Sequence, residues 1–137
     1  MTLPEPGERL RGAPVAADPE RMKVFSLVTR DPNPIHWDLD EVDRLGLGDR
    51  VVNQGALNLA YVLDAVASWP EHAQRVRSVR VRFLGNVFAG DLVTPEAEAT
   101  STQGDEARLD VRLVTADGTV VLAGTATTTA ETADRTE

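Results

Sequence analysis

An acid and an imidazole lie five residues apart in a segment that two prolines stiffen, Asp31-Pro32-Asn33-Pro34-Ile35-His36. Each proline fixes one backbone dihedral and biases the residue before it toward extended geometry. A rigid loop that presents a carboxylate and an imidazole can hold one water for proton transfer. The same pattern also fits a proline-rich turn in which Asp31 and Asn33 bond only their own backbone. The spacing alone leaves both interpretations open.

The segment resembles the D-x-N-P-[LIV]-H signature of MaoC-like (R)-specific enoyl-CoA hydratases and 3-hydroxyacyl dehydratases, which have the hotdog fold. Residues 51–57 are similar to that family's apolar-apolar-x-His-Gly-Met segment at the head of the central helix. Residues 83–91 resemble its strand and turn, F-x-x-P-V-F-x-G-D. The resemblance covers roughly residues 7–128 and predicts a single hotdog domain.

This resemblance implies a function for four residues. Asp31 and His36 would hold a water between them and exchange protons with it, and Asn33 would fix the loop or orient the pair. The backbone amide at Gly55 would polarise the thioester carbonyl. No metal or redox cofactor is expected, and two histidines 36 residues apart do not form a metal-ligand set.

The chain departs from the family pattern at three positions. Arg30 stands where a glycine is usual, Val42 where a small residue is usual, and Gln54 where a histidine is common. We expect Val42, Gln54 and Ala56 to shape the substrate pocket. The departures bear on substrate preference more than on chemistry, so the sequence does not identify the acyl chain. A branched, ring-bearing or carrier-bound intermediate is as plausible as a plain fatty acyl-CoA.

Composition predicts one ordinary globular domain. The 137 residues are 42% hydrophobic and carry a net charge of −8, which argues against binding to nucleic acid or anionic membranes. There are no cysteines, so disulfides and thiolate chemistry are excluded. The first residues show neither a basic start nor an apolar stretch typical of a signal peptide. We therefore expect a cytoplasmic protein.

The first half of the chain shows two helix starts. Asp18 precedes a proline, which predicts a capped helix from residue 19 to about 29 with Met22, Phe25 and Val28 facing inward. Asp38 is expected to cap a second short helix. His72 is interpreted as a surface loop residue.

Residues 54–69 form the strongest predicted helix, with apolar residues in every angular sector. A helix that is apolar all round is buried all round, and in so small a chain a curved sheet must surround it. Alternating apolar and polar residues after position 77 supply the strands. The prediction is an α+β hotdog domain over residues 10–128, wrapped around this long central helix, with flexible ends at 1–9 and 129–137.

Three further expectations concern partners and competing functions. The substrate would be an acyl-CoA or an acyl-carrier-protein thioester, and Arg80 and Arg82 could contact the phosphates of coenzyme A. The protein is expected to form a homodimer, or a heterodimer with a second hotdog subunit. A non-catalytic or partner-dependent subunit is one alternative. A thioesterase is another, weaker because Asp64, the only acid within the helix, lies far from its start.

Overall fold

The structure is a computed structural model that describes residues 3–131. Within this range the chain forms strands β1 (Arg9–Arg11), β2 (Val15–Ala16), β3 (Gln74–Phe83), β4 (Leu92–Gln103), β5 (Glu106–Thr115) and β6 (Val120–Ala130). The helices are α1 (Pro19–Thr29), α2 (Leu39–Arg44) and α3 (Gly55–Ala67), and a 3₁₀ turn covers Pro34–His36.

The six strands form one antiparallel sheet in the order β1-β4-β5-β6-β3, with β2 also pairing with β4. Helix α3 packs against β3, β4 and β5. The strands alternate as the sequence predicts: on β5 the side chains of Leu109, Val111 and Leu113 are buried. Their neighbours Arg108, Asp110 and Arg112 are exposed on the opposite, outer face. The predicted α+β arrangement of a helix packed on a sheet is therefore present.

The prediction that α3 is buried all round is wrong. Its buried residues are Asn58, Val62 and Val66, spaced four apart along one stripe. Ala56 and Ala60, on other sectors of the helix, are exposed. One face of α3 therefore packs on the sheet, while other parts of its apolar surface remain uncovered in the single chain.

Helix α1 begins at Pro19 as predicted, and the Asp18 carboxylate accepts a hydrogen bond of 2.9 Å from the Glu20 amide. The predicted inward stripe is wrong for this helix. Met22 is fully buried, but Val28 is 77% exposed. The second buried residue of α1 is the polar Ser26, whose side chain has a hydrogen-bond partner described below.

The second predicted helix start is also present. Asp38 caps α2, accepting hydrogen bonds from the amides of Asp40 and Glu41. Val42 is fully buried on the inner face of this helix. Helix α2 therefore packs the segment that follows His36 against the core.

The chain ends differ from the predicted domain boundaries. Leu3 and Pro4 are buried, and the Gly7 amide donates to the Ala99 carbonyl at 2.8 Å. The predicted flexible segment 1–9 is thus packed onto β4 where the structure describes it. At the other end β6 extends to Ala130, and residues 132–137 of the predicted flexible tail lie outside the described residues. No helix in the described range is long and apolar enough to cross a membrane.

Candidate active site

Asp31 is positioned by the way α1 ends. Arg30 adopts the left-handed conformation, with φ of 56°, and its amide donates to the Ser26 carbonyl. The Asp31 amide donates to the same carbonyl at 3.0 Å. These bonds turn the chain away from the helix axis and present the Asp31 side chain at the end of α1. A left-handed conformation is costly for a residue with a Cβ, which gives a physical reason for the glycine that the family usually has at this position.

The proline-rich segment then folds back on itself through Asn33. The Asn33 amide donates to Asp31 Oδ1 at 3.0 Å, and Asn33 Oδ1 accepts from the Ile35 amide at 3.3 Å. The Asn33 side chain thereby caps the 3₁₀ turn that carries His36. The polar side chains bond local backbone, and the same turn brings the acid and the imidazole together.

His36 faces Asp31 with one ring nitrogen and the backbone with the other. Its Nε2 lies 3.2 Å from Asp31 Oδ2, and its Nδ1 lies 2.6 Å from the Val52 carbonyl oxygen. A carbonyl oxygen only accepts, so Nδ1 carries a proton. In a neutral ring Nε2 is then an acceptor that points at the carboxylate. His36 is only 6% exposed, so this end of the contact is largely shielded from bulk water.

The segment that holds His36 leads directly into α3, because Gly55 follows three residues after Val52. Gln54 occupies the N-cap position but makes no capping hydrogen bond with its side chain within residues 3–131. The first amides of α3 are therefore available to a ligand at the positive end of the helix. A Cβ on Gly55 would lie 3.1 Å from Cε1 of Phe83, so the Phe83 ring packs directly against this glycine.

A cavity of about 370 Å³ opens beside the pair. It is lined by Lys23, Ser26, Leu27, Asp31 and Trp37. Leu27 and Trp37, the large apolar residues among these five, are 79% and 40% exposed. The cavity connects solvent to the Asp31 carboxylate, whose side chain is 34% exposed. A ligand can therefore reach the acid from the α1 side.

The other predicted pocket residues lie apart from this cavity. Val42 is fully buried and Gln54 is 2% exposed, so neither reaches solvent in the single chain. Ala56 is exposed in the first turn of α3. Arg80 and Arg82 pair across the sheet with Thr125 and Ala123, which lie beside the outward-facing Asp110 and Arg112. The two arginines are exposed on the outer face of the sheet, opposite to the face that carries α3.

Sequence reasoning missed the polar groups that support the site. Asn53 Nδ2 donates to Asn58 Oδ1 at 2.8 Å and to the Tyr61 hydroxyl at 3.2 Å. Asn53 and Asn58 are both 3% exposed. The available signal was that Asn58 interrupts an otherwise apolar helix, because a buried amide needs a partner.

His72 lies in the loop between α3 and β3 as predicted, but the prediction that it is a surface residue is wrong. Its side chain is 8% exposed, packs edge-on against the Trp69 ring with centroids 5.5 Å apart, and lies 3.3 Å from Glu8 Oε2. The chain thus holds a second imidazole and carboxylate pair, beyond the C-terminal end of α3.

The sequence and the fold were compared with those of known proteins. A family model described as a MaoC like domain matches residues 2–122. The search of curated proteins found no match. Among solved structures, protein af1124 of Archaeoglobus fulgidus is 25% identical and aligns with a TM-score of 0.85 over 96% of this chain and 81% of that one.

Two further structures share the fold at lower identity. An (R)-hydratase from A. caviae involved in PHA biosynthesis is 24% identical, with a TM-score of 0.84 over 93% of this chain and 97% of that one. A chain of the ChsH1-ChsH2 complex from Mycobacterium tuberculosis is 21% identical, with a TM-score of 0.80 over 96% of this chain and all of that one. These likenesses confirm the predicted hotdog fold. Since the family model spans most of the sequence, the chain belongs to the MaoC-like dehydratase family.

Proposed function

We propose that the protein is a hydratase or dehydratase that adds water across, or removes it from, the α,β bond of an acyl thioester. The observation that carries the proposal is the contact of 3.2 Å between His36 Nε2 and Asp31 Oδ2, at a carboxylate that a ligand can reach. Both groups are held by backbone hydrogen bonds, so the geometry is preorganised before any substrate binds.

In this proposal a water binds beside the pair, within hydrogen-bond reach of both Asp31 and His36. One of the two takes its proton as the oxygen attacks the β carbon, and the pair delivers a proton to the α carbon on the same face. Dehydration follows the same path in reverse. The Val52 carbonyl keeps the Nδ1 proton in place, which leaves Nε2 as the nitrogen that exchanges protons.

The thioester carbonyl would bind at the head of α3. The Gly55 amide and the helix dipole would stabilise the negative charge that develops on this oxygen as the α,β bond reacts. The absence of a capping side chain on Gln54 within the described residues supports this assignment, because a side-chain cap would compete with the substrate.

The substrate would enter through the cavity beside Asp31, against Leu27 and Trp37. Ala56 is exposed near the proposed carbonyl site and remains a candidate pocket residue, whereas burial of Val42 limits it to an indirect effect. Contact of Arg80 and Arg82 with coenzyme A requires the cofactor to reach the outer face of the sheet. Loss of both arginines by substitution with alanine would then raise KM for the acyl-CoA, and an unchanged KM would refute this role.

A dimer would complete the fold. Strand β3 pairs only with β6 among the described strands, so its outer edge is open, and open edges invite pairing. Val24, Leu27 and Val28 add exposed apolar surface on α1. We propose that two chains associate, and light scattering at micromolar concentration would contradict this by giving a monomer mass.

A partner-dependent subunit is the second candidate, because one of the structures that share this fold is a two-component complex. Under this proposal the chain would be the half that carries Asp31 and His36. Co-purification with a second hotdog chain, and activity only in its presence, would favour it over a homodimeric enzyme.

The decisive experiment follows the absorbance of short, long and branched trans-2-enoyl-CoA substrates during hydration. The wild-type protein is compared with Asp31→Asn and His36→Ala, each checked for folding by circular dichroism. Turnover that falls by about 10²–10⁴-fold in both variants supports the assignment. Wild-type levels of turnover in either folded variant would refute it.

A further inference from the structure

The side chain of Gln54 connects α1 to the head of α3. Its Nε2 donates to the Met22 carbonyl and to Ser26 Oγ, both at 2.8 Å. The residue is 2% exposed, so these bonds form away from water and add rigidity between the two helices. Gln54 thus acts through α1 and does not line the cavity beside Asp31.

Both ends of this connection reach the proposed active site. The Ser26 carbonyl accepts the amides of Arg30 and Asp31, and so fixes the point at which Asp31 leaves α1. On the other side, Gln54 directly precedes Gly55, whose amide begins α3. One side chain therefore joins the turn of α1 from which Asp31 leaves to the residue that precedes the first amide of α3.

The chemistry of the contact requires an amide. The NH₂ group of glutamine supplies two donors, and both are used here. A neutral histidine has a single N–H, so Ser26 Oγ would have to donate instead of accept, and a carboxylate has no N–H for the Met22 carbonyl. Gln54 Oε1 is buried and has no hydrogen-bond partner within residues 3–131. Leaving an acceptor buried and unpaired is unfavourable, so the two donor bonds must hold the side chain in place.

We propose that Gln54 is a positioning residue, which sets the separation between the Asp31 carboxylate and the N-terminus of α3. This inference rests on the proposed function for its effect on rate. The alternative is that the two bonds only add stability, as any buried amide contact does.

The chain offers a matched control in a second buried glutamine. Gln74 is 3% exposed, and its Nε2 donates to the Val66 carbonyl near the other end of α3 at 3.2 Å. Its Oε1 accepts from Thr128 Oγ1 at 2.7 Å. Gln74→Met removes a comparable connection to α3 without touching α1 or Asp31.

The test compares Gln54→Met, Gln54→Glu and Ser26→Ala with Gln74→Met in enoyl-CoA hydration. We expect kcat to fall about 10- to 100-fold in the Gln54 variants with KM within threefold, because a small displacement of a reacting group costs rate more than binding. Ser26→Ala, which loses one bond of the two, should fall less. Gln74→Met should keep kcat within twofold despite lower stability. Equal effects of Gln54→Met and Gln74→Met on kcat would overturn the proposal.

A second readout does not depend on turnover. Amide hydrogen exchange followed by NMR should show loss of protection at Asp31 in Gln54→Met and Ser26→Ala, but not in Gln74→Met. Unchanged protection at Asp31 in Gln54→Met overturns the positioning role even if the enzyme proposal holds. If wild type hydrates no substrate but the exchange result is as expected, the proposed function fails while the connection from Gln54 to Asp31 stands. Should the Gln54 variants not fold, Ser26→Ala decides both readouts.

Discussion

His36 and His72 each face a carboxylate at nearly the same distance, near opposite ends of α3. The gap is 3.2 Å to Asp31 in one pair and 3.3 Å to Glu8 in the other. Both imidazoles are largely buried, with 7% and 8% of the side chain exposed, and both carboxylates are partly exposed. Distance and burial therefore do not distinguish a reactive pair from a structural one.

The surroundings separate the two pairs. The His36 pair is joined through the Val52 carbonyl to the segment that leads into α3, and a cavity reaches Asp31. The His72 pair lies beyond the end of α3, where the last helical carbonyls carry partial negative charge, and its ring packs against Trp69. A developing oxyanion would be stabilised at the first end and repelled at the second. Under the proposed function, the comparison teaches that position relative to the helix, more than pairing itself, would make the pair near His36 reactive.

The largest expected effect is that substitutions in the two pairs change different properties. A substitution in the Asp31–His36 pair should lower activity, and one in the Glu8–His72 pair should lower stability. Asp31→Asn should lower hydration of an enoyl-CoA by about 10²–10⁴-fold while leaving stability nearly unchanged. Glu8→Gln and His72→Gln should keep activity within twofold but lower the free energy of unfolding by up to about 1 kcal/mol, because they weaken a contact in which the imidazole is buried and the carboxylate is partly exposed. Activity assays and urea denaturation of the same samples check both halves. Loss of activity in His72→Gln at full stability would break the comparison.

The second expected effect concerns the glycine at the reactive end of the helix. Because a Cβ on Gly55 would meet the Phe83 ring at 3.1 Å, Gly55→Ala should displace the ring and lower kcat/KM about 10-fold. Phe83 is 55% exposed, so a smaller side chain there should fold normally. We expect Phe83→Leu to restore most of the activity of Gly55→Ala, as measured in a double-mutant cycle. Failure of this rescue would mean that the glycine makes room for the substrate itself.

The sequence predicts a structural feature well when the residues that determine it lie close together in the chain. The helix starts at Asp18 and Asp38 were predictable because capping depends on neighbouring residues. The contact of His36 with Asp31 was predictable within a stiff loop of known signature. The contact of His72 with Glu8 joins residues 64 apart, and no local pattern indicates it.

The inward faces of the helices were predicted less well for the same reason. Val28 of α1 was predicted to face the core, yet it is 77% exposed while the polar Ser26 is buried. Ser26 is buried because Gln54, 28 positions away, supplies its partner. Whether a residue is buried in this chain depends also on hydrogen-bond partners that are distant in sequence. Apolar periodicity alone does not indicate these partners.

A smaller effect on stability is expected from the backbone, because in both pairs the residue before an ionisable member has a positive φ. Arg30 precedes Asp31 and Glu71 precedes His72, and within the described residues these are the two with positive φ other than glycine, at 56° and 70°. Arg30→Gly and Glu71→Gly should each raise the free energy of unfolding by about 0.5 kcal/mol, the relief of left-handed strain less the extra entropy of the unfolded chain. Matched Arg30→Ala and Glu71→Ala variants should show no gain. A gain at only one of the two positions would show that the two pairs differ in backbone strain as well as in their surroundings.

The smallest expected effect is at a carboxylate that bonds only within its own turn. Hydrogen bonds from the Thr115 hydroxyl and the Thr119 amide lower the pKa of Asp117 from its usual 3.8 to about 2. A carboxyl whose pKa is lower in the folded state stabilises the fold above its unfolded pKa, and the contribution disappears as pH falls from about 3.8 through 2. Asp117→Asn keeps an acceptor oxygen but removes the charge, so the urea midpoint of wild type should exceed that of the variant at pH 5 and approach it near pH 2. Turnover at neutral pH should be the same in both proteins, since the turn lies outside both imidazole pairs. A midpoint difference that stays constant over this range would show that the charge on Asp117 contributes nothing, and lost turnover would extend the reactive region beyond the head of α3.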